Sequence, residues 1–410
     1  MINVAILGYG VVGSGVAEVC DMNMDSITKK VGKQIFIKKI LDIRDFPGDP
    51  FEDRLTKNPD DVFNDPDISV VVETIGGINI AYEFTMRALN AGKSVITSNK
   101  ELVATHGPKI LALAHEKKLS YLFEASVGGG IPIIRPLIKC LSADRVNAIY
   151  GILNGTTNYI LTKMERENVS FENALEQAQK LGFAEQNPTS DIEGLDTCRK
   201  IAILSSIATG EFIDYRQIYT EGIKKITDRD ILYANHLGYK IKLIAMAKLG
   251  SNNIIETIVT PALLSSENPL TVANDEFNAI LVEGNALGPA MFYGKGAGKM
   301  ATASAVMADV IEAVLHINLT PHMLIWEQTK SVKVKSHDEC SVKAFIRLED
   351  GEAARQIINQ FEICTDITFL QKEFDGEIAI LVGRITPITE KKLFGILGKS
   401  PSCLSVIRIL

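Results

Sequence analysis

Long apolar runs are missing from this chain of 410 residues. None reaches the roughly 18 consecutive apolar residues that a membrane-spanning helix needs, so no transmembrane segment is expected. The chain opens with no basic stretch and no small-residue cleavage site, and a cytoplasmic location is expected. Positive charge is not in excess. Lys and Arg number 43 against 50 Asp and Glu, for a net charge of −7, which argues against a nucleic-acid or anionic-membrane partner. Cysteines are few and scattered, at 20, 140, 198, 340, 364 and 403, with no CxxC pair. Reduced thiols fit that pattern better than disulfides or a metal cluster. The six histidines form no HExxH, so a catalytic zinc is not expected.

What is present starts at once. Asn3-Val4-Ala5-Ile6-Leu7 reads as a buried strand and runs into Gly8-Tyr9-Gly10-Val11-Val12-Gly13. This GxGxxG spacing, after a strand and before a helical pattern at 14–22, permits a tight turn and close backbone approach to a pyrophosphate, with helix amides facing the phosphates. Short apolar strands at 3–7, 35–42, 69–73, 94–97 and 120–123 alternate with helical patterns at 14–22, 80–91 and 107–117. That alternation predicts an α/β fold, a Rossmann-type doubly wound parallel sheet over residues 1–145. Ligands gather at the carboxyl ends of such strands, which brings Thr74, Ser98 and Lys100 toward the cofactor. Near the end of the second strand, Asp42, Arg44 and Asp45 stand together; an acid there suits NAD and an arginine NADP.

Glu124-Ala125-Ser126-Val127-Gly128-Gly129-Gly130-Ile131-Pro132 closes this region. It reads either as a hinge or as a loop whose carbonyls, with one carboxylate, hold a hard cation. A second, α+β domain is expected over 146–320. In it a strand at 146–153 ends at Asn154-Gly155-Thr156-Thr157, where Thr156 or Thr157 can cap a helix from about 157 to 167. A small-residue helix, 300–315, follows Gly294-Lys295-Gly296-Ala297-Gly298 and can return to complete the first domain. A linker is expected at 321–338. The tail, 339–410, reads as βαββαβ, a ferredoxin-like arrangement.

The densest segment is 178–200. It holds Glu185, Asn187-Pro188, Asp191, Gly194, Asp196 and Lys200. Helical periodicity resumes after Gly194, so Asp196 and Lys200 share a face at i and i+4. Read alone, the pair fits a surface ion bridge. It also fits a lysine kept protonated and aimed at a carbonyl oxygen.

Taken in order, these pieces resemble the homoserine dehydrogenase family. The family pattern of Ala, Gly, Asn/Asp-Pro, Asp, Gly, Asp and Lys appears here as Ala178, Gly182, Asn187-Pro188, Asp191, Gly194, Asp196 and Lys200. The blocks TSNKELVATHG (97–107), EASVGGGIPII (124–134), GILNGTTNYIL (151–161) and GKGAGKMATASAV (294–306) are similar to family blocks too. The resemblance covers about 1–320 and implies NAD(P)H-dependent interconversion of L-aspartate 4-semialdehyde and L-homoserine, in threonine and methionine biosynthesis. It implies Lys200 as proton donor, Asp196 as its orienting partner, and Lys100 beside the substrate oxygen and nicotinamide. Glu185 and Asp191 would bind the substrate ammonium, and backbone groups of Asn154, Gly155 and Thr156 its carboxylate. Gly8, Gly10, Val11, Val12, Gly13, Arg44, Thr74, Ser98, Lys100 and Gly296 would line the cofactor, NADP(H) being favoured over NAD(H) because Arg44 matches a position where many members carry arginine. It also turns the glycine-rich loop from a hinge into a sodium site of Glu124 with the carbonyls of Val127, Gly129 and Ile131. The tail resembles an ACT-type regulatory domain, with threonine as the expected effector and a homodimer or homotetramer as the expected assembly. It departs from the ACT pattern at Leu348-Glu349-Asp350-Gly351-Glu352, where proline is lacking. With no kinase segment ahead of the fingerprint, the monofunctional form is expected.

Two other classes compete. A thioester-forming semialdehyde dehydrogenase would need an activated cysteine, for which Cys140 and Cys198 are candidates by position only. A non-catalytic sensor would pair dinucleotide and amino-acid binding, with Lys200 structural.

Overall fold

The computed structural model describes residues 1–317, 319, 324–327, 331–398 and 400–410. The expected linker falls partly outside them. The chain divides into two compact units, one of residues 1–145, 202–215 and 294–331, the other of 146–201, 216–293 and 332–410.

Among the described residues the first unit holds a six-stranded, wholly parallel sheet. Its strands are β1 (Ile2–Leu7), β2 (Ile35–Leu41), β3 (Leu55–Thr56), β4 (Ile68–Glu73), β5 (Ser94–Thr97) and β6 (Tyr121–Leu122). Their order is β3-β2-β1-β4-β5-β6. Val70, Val71 and Val72 are buried in succession, as expected of a parallel strand covered on both faces. The order reverses between β1 and β4, which makes their carboxyl ends the binding crevice of such a sheet. The helix Lys299–Leu315 packs on the helix Val11–Met22. A Cβ on Gly15 would lie 2.9 Å from Lys299 O and 3.1 Å from Ala303 Cβ, so the small residues of both helices are what let them approach.

One helix begins earlier than its periodicity predicts. It runs Lys100–Lys117 rather than 107–117, with Pro108 inside. Proline suggests a helix start because it lacks an N–H. Here the true start is set by Asn99, whose side chain accepts from Leu102 N at 3.0 Å. Lys100 is therefore the first residue of a helix.

The second unit is built on β7 (Val146–Ile152), β8 (Tyr219–Thr220), β9 (Tyr239–Leu249), β10 (Ile254–Ser265), β11 (Phe277–Gly284), β12 (Gly288–Lys295) and β13 (Lys333–Val334). The path β12-β11-β7-β9-β10 continues into the tail. There β14 (Ser341–Glu349), β15 (Ile367–Phe369), β16 (Glu377–Val382), β17 (Ile388–Thr389) and β18 (Cys403–Ile409) enclose the helices Glu352–Glu362 and Glu390–Leu397. The tail order β18-β14-β16-β15 is the ferredoxin-like connectivity. Its own core gathers Ile346, Leu348, Phe361, Ile380 and Leu393.

The tail's sheet is not separate from the rest. β18 runs parallel to β10, with Arg408 opposite Ala262 and Ile409 opposite Leu263. Two buried arginines reinforce the joint. Arg347 on β14 reaches Asp230 Oδ1 at 2.8 Å and Glu377 Oε2 at 2.9 Å. Arg408 on β18 reaches Glu390 Oε1 and Glu221 Oε2, each at 2.6 Å. Removing one partner of such a pair leaves a charge stranded away from water.

Candidate active site

Candidate residues fall in both units. In the first unit the turn after β1 is built without slack. Gly8 has φ +89°, and a Cβ there would lie 2.8 Å from Thr74 O. A Cβ on Gly13 would lie 2.0 Å from Gly8 O and 2.9 Å from Thr74 Oγ1. Thr74 donates its hydroxyl to Gly8 O at 2.8 Å, so it braces the turn. Gly10 is open, the nearest atom to its absent Cβ being Arg44 Nη2 at 3.9 Å. The helix Val11–Met22 starts there with no side-chain cap. Its first amides, at Val11, Val12 and Gly13, have no intrahelical acceptor and suit phosphate oxygens. The bare backbone and tight packing fit a dinucleotide pyrophosphate.

Just past β2, Asp42 accepts from Tyr9 N at 2.7 Å, from Arg44 N at 2.9 Å and from Arg44 Nε and Nη2 at 3.0 Å. The Arg44 guanidinium holds its carboxyl down at about 2. The acid is thus engaged within the protein, while the arginine side chain remains 58% exposed. Glu73, at the end of β4, is buried and accepts from Thr97 Oγ1 at 2.6 Å and Ile75 N at 2.8 Å. Burial raises its carboxyl above the ordinary range. This glutamate orders the turn beside β5, after which Ser98 lies half-buried and Lys100 opens its helix. Nothing in the local pattern of Val70–Thr74 marks Glu73 as anything but a strand end.

In the glycine-rich loop Glu124 is buried and uses both carboxylate oxygens on backbone amides. Oε1 accepts from Ile133 N at 2.7 Å and Ile134 N at 2.8 Å, and Oε2 from Arg135 N at 2.7 Å. Its own amide donates to Asp309 Oδ2 at 2.8 Å, and Asp309 also pairs with Arg135. Burial pushes the Asp309 carboxyl up to about 7. Gly129 has φ +58°, and its Cβ would fall 2.1 Å from Gly296 O, so Gly296 sits against this loop. A Cβ on Gly128 would fall 2.3 Å from Ile131 O, and Val127 is buried. Among the described residues no group of three His, Cys, Asp or Glu could hold a metal ion; a cation here would rest on carbonyl oxygens.

In the second unit Lys200 and Asp196 lie on the helix Leu195–Thr209, both buried, with Nζ 2.9 Å from Oδ2. Lys200 Nζ also donates to Leu153 O at 2.7 Å. This is no surface pair. Asn154 Nδ2 donates to Asp191 Oδ1 at 2.7 Å and to Asp196 Oδ2 at 2.9 Å. The same amide's oxygen accepts from Thr157 N at 2.8 Å and caps the helix Gly155–Glu167. The cap is therefore Asn154, not Thr156 or Thr157, because the helix starts two residues before its expected position. Thr156 instead donates its hydroxyl to Phe183 O at 2.6 Å. Gly155 has no room for a side chain, its Cβ falling 2.8 Å from Glu276 O. Glu185 is exposed, and among the described residues no bond joins it to this cluster. Sequence reasoning assigned Asn154 only its backbone; the signal for its side chain was the asparagine at a strand-to-helix junction.

A parallel sheet in this order, a glycine turn shaped for pyrophosphate and a buried lysine–aspartate pair define an NAD(P)-dependent oxidoreductase. A model of the homoserine dehydrogenase NAD-binding domain matches residues 8–124, and a homoserine dehydrogenase model matches 132–311. The chain belongs to the homoserine dehydrogenase family. It is 41% identical over 353 residues to homoserine dehydrogenase of Bacillus subtilis, covering 85% of this chain and 81% of that one. The crystal structure of a homoserine dehydrogenase from Thiobacillus denitrificans superposes with a TM-score of 0.90 at 35% identity, covering 100% of this chain and 98% of that one. A hyperthermophilic archaeal homoserine dehydrogenase solved in complex with NADPH has a TM-score of 0.66 at 28% identity, covering 78% of this chain and 99% of that one.

Proposed function

We propose that this oxidoreductase interconverts L-homoserine and L-aspartate 4-semialdehyde. The observation that carries the reading is Lys200 Nζ held at once by Asp196 and the Leu153 carbonyl. A bound nicotinamide supplies or takes the hydride. Lys200 gives the proton to the aldehyde oxygen on reduction and takes it back on oxidation. Asp196 keeps that ammonium charged and aimed, and Asn154 fixes Asp196. Lys100, as the first residue of its helix, supplies a second positive group for the substrate oxygen. Asp191 and Glu185 receive the substrate ammonium, Glu185 from its exposed position. The first-turn amides at Gly155 and Thr156 receive its carboxylate.

NADP(H) is the preferred cofactor. Asp42 is already engaged by Arg44 and Tyr9 and is poorly placed to take ribose hydroxyls. The exposed Arg44 can take a 2′-phosphate, and the archaeal relative carries NADPH. The glycine-rich loop takes a sodium ion on the carbonyls of Val127, Gly129 and Ile131. Glu124 acts there by its charge and by shaping the loop, since its carboxylate already accepts three amides. The ferredoxin-like tail is an ACT-type module with threonine as its effector, which isothermal titration with threonine tests. Edge strand β12, exposing Met291 and Tyr293, supports a homodimer or homotetramer, to be read by light scattering.

The decisive experiment offers L-homoserine with NADP+ and then NAD+ at alkaline pH and follows formation of the reduced nicotinamide. Homoserine-dependent reduction is expected, faster with NADP+. Lys200→Ala is expected to lose turnover by roughly 10²–10⁴-fold while nucleotide binding persists. Full turnover in that variant removes Lys200 from the mechanism. Absent turnover in wild-type protein that binds nucleotide moves the assignment to a sensor.

A further inference from the structure

The stretch Thr220-Glu221-Gly222-Ile223 has no part in the chemistry proposed above, yet it fits against the catalytic segment with no free space. A Cβ on Gly222 would fall 2.0 Å from Ile192 O and 2.5 Å from Glu193 Cα. Ile223 N donates to the same Ile192 O at 2.8 Å. On the other side, a Cβ on Gly194 would meet Thr220 Cγ2 at 3.1 Å and Val259 Cγ1 at 3.3 Å. Ile192 directly follows Asp191, and Gly194 stands two residues before Asp196. The turn therefore grips the short connection from which both carboxylates of the lysine cluster are hung.

What grips the turn is the tail. The Glu221 backbone is pinned to the sheet, its N–H donating to Val259 O at 2.8 Å. Its carboxylate receives Arg408 Nη1 at 2.6 Å and Thr260 Oγ1 at 3.3 Å. The remaining face of that guanidinium is bound to Glu390, through Nε at 2.6 Å and Nη2 at 3.2 Å. One buried arginine thus divides its donors between an acid of the tail's own helix and an acid of the turn beneath the catalytic segment.

We propose that Glu221, held by Arg408 of β18, is a positioning residue that sets Asp191 and Asp196, and through them Lys200, so that the tail's sheet governs the geometry of the catalytic segment. The proposal rests on the roles given above to Asp191, Asp196 and Lys200. It makes the two acids on Arg408 unequal. Both pair with the buried Arg408, and loss of either weakens the tail. Only Glu221 touches the turn that holds the catalytic carboxylates.

The test compares Glu221→Ala with Glu390→Ala in the full chain, measuring melting temperature, NADP+ affinity, and kcat and KM for homoserine. Glu221→Ala is expected to lower kcat by about ten- to a hundredfold and raise KM for homoserine, with NADP+ affinity unchanged. Glu390→Ala is expected to lower the melting temperature while its kcat stays close to wild type. Glu221→Gln, which keeps the shape and loses the charge, is expected to lower kcat several-fold and guards against a Glu221→Ala protein that does not fold. Equal losses of kcat at the two positions, or no loss at Glu221, overturn the proposal. Wild-type protein that does not turn over homoserine, or a fully active Lys200→Ala, instead defeats the functional reading on which it stands.

Discussion

Asn154 holds two carboxylates with a single amide group and caps a helix with the same group's oxygen. That economy gives Asp196 a second partner beside Lys200 and ties Asp191 to the same amide group. Arg44 is a second residue to test, since the proposed choice of NADP(H) rests on it. Arg44→Ala should raise KM for NADP+ by roughly tenfold or more, a loss of a charge-assisted contact, and should leave KM for NAD+ little changed; steady-state kinetics with both nucleotides checks it. Lys242 is a third. It is fully buried and donates to Asn158 Oδ1 at 2.9 Å and Ala273 O at 2.8 Å. Burial lowers its ammonium from the ordinary 10.5 to about 8. Between those values the unfolded chain keeps a proton that the folded chain has lost, so this group makes stability rise with pH over that window. Lys242→Met should flatten that rise and cost about 1–3 kcal/mol from the stranded acceptors. Denaturant titrations of both proteins at pH 8 and pH 10 give the comparison.

At the scale of elements, the glycine turn is where sequence and structure agree most closely, because its spacing is dictated by contact. Gly13→Ala would push a methyl to 2.0 Å from Gly8 O. The variant should lose nucleotide binding by an order of magnitude or more while keeping most of its secondary structure, as equilibrium titration and circular dichroism can show. The parallel strands, the small-residue helix and the ferredoxin-like tail were legible for similar reasons, since runs such as Val70–Val72 and alternations such as 341–348 report burial directly. The start of the helix at Lys100 was not, because Pro108 mimics a helix start and the Asn99 cap outweighs it. The Asn154 bridge was not legible either: a side chain that caps its own helix and reaches two acids of one distant segment leaves no periodic trace. Nor does periodicity reveal that β18 pairs with β10, because strand patterns state which face is buried and not which neighbour is chosen.

At the scale of the whole molecule, the tail is part of the second sheet and not an appendage to it. A chain ending near residue 338 would remove Arg347 from Asp230 and Arg408 from Glu221, together with the strands that carry them. The shortened protein should melt roughly ten degrees lower or fail to stay soluble; a scanning thermal melt of both forms decides, and an unchanged melt would mean that the buried arginines hold nothing essential.

The parallel pairing of Ala262 with Arg408 also has a consequence for how the protein is made. β18 leaves the ribosome roughly 140 residues after the strand it completes, on the order of ten seconds at ordinary rates of synthesis. Through that interval β8 already pairs with β10 at Ile258 and Val259, but the end of the same edge at Ala262 and Leu263 has no strand partner and is open to a passing one. For this chain the hazard of birth is greatest at a place that is sealed in the finished enzyme.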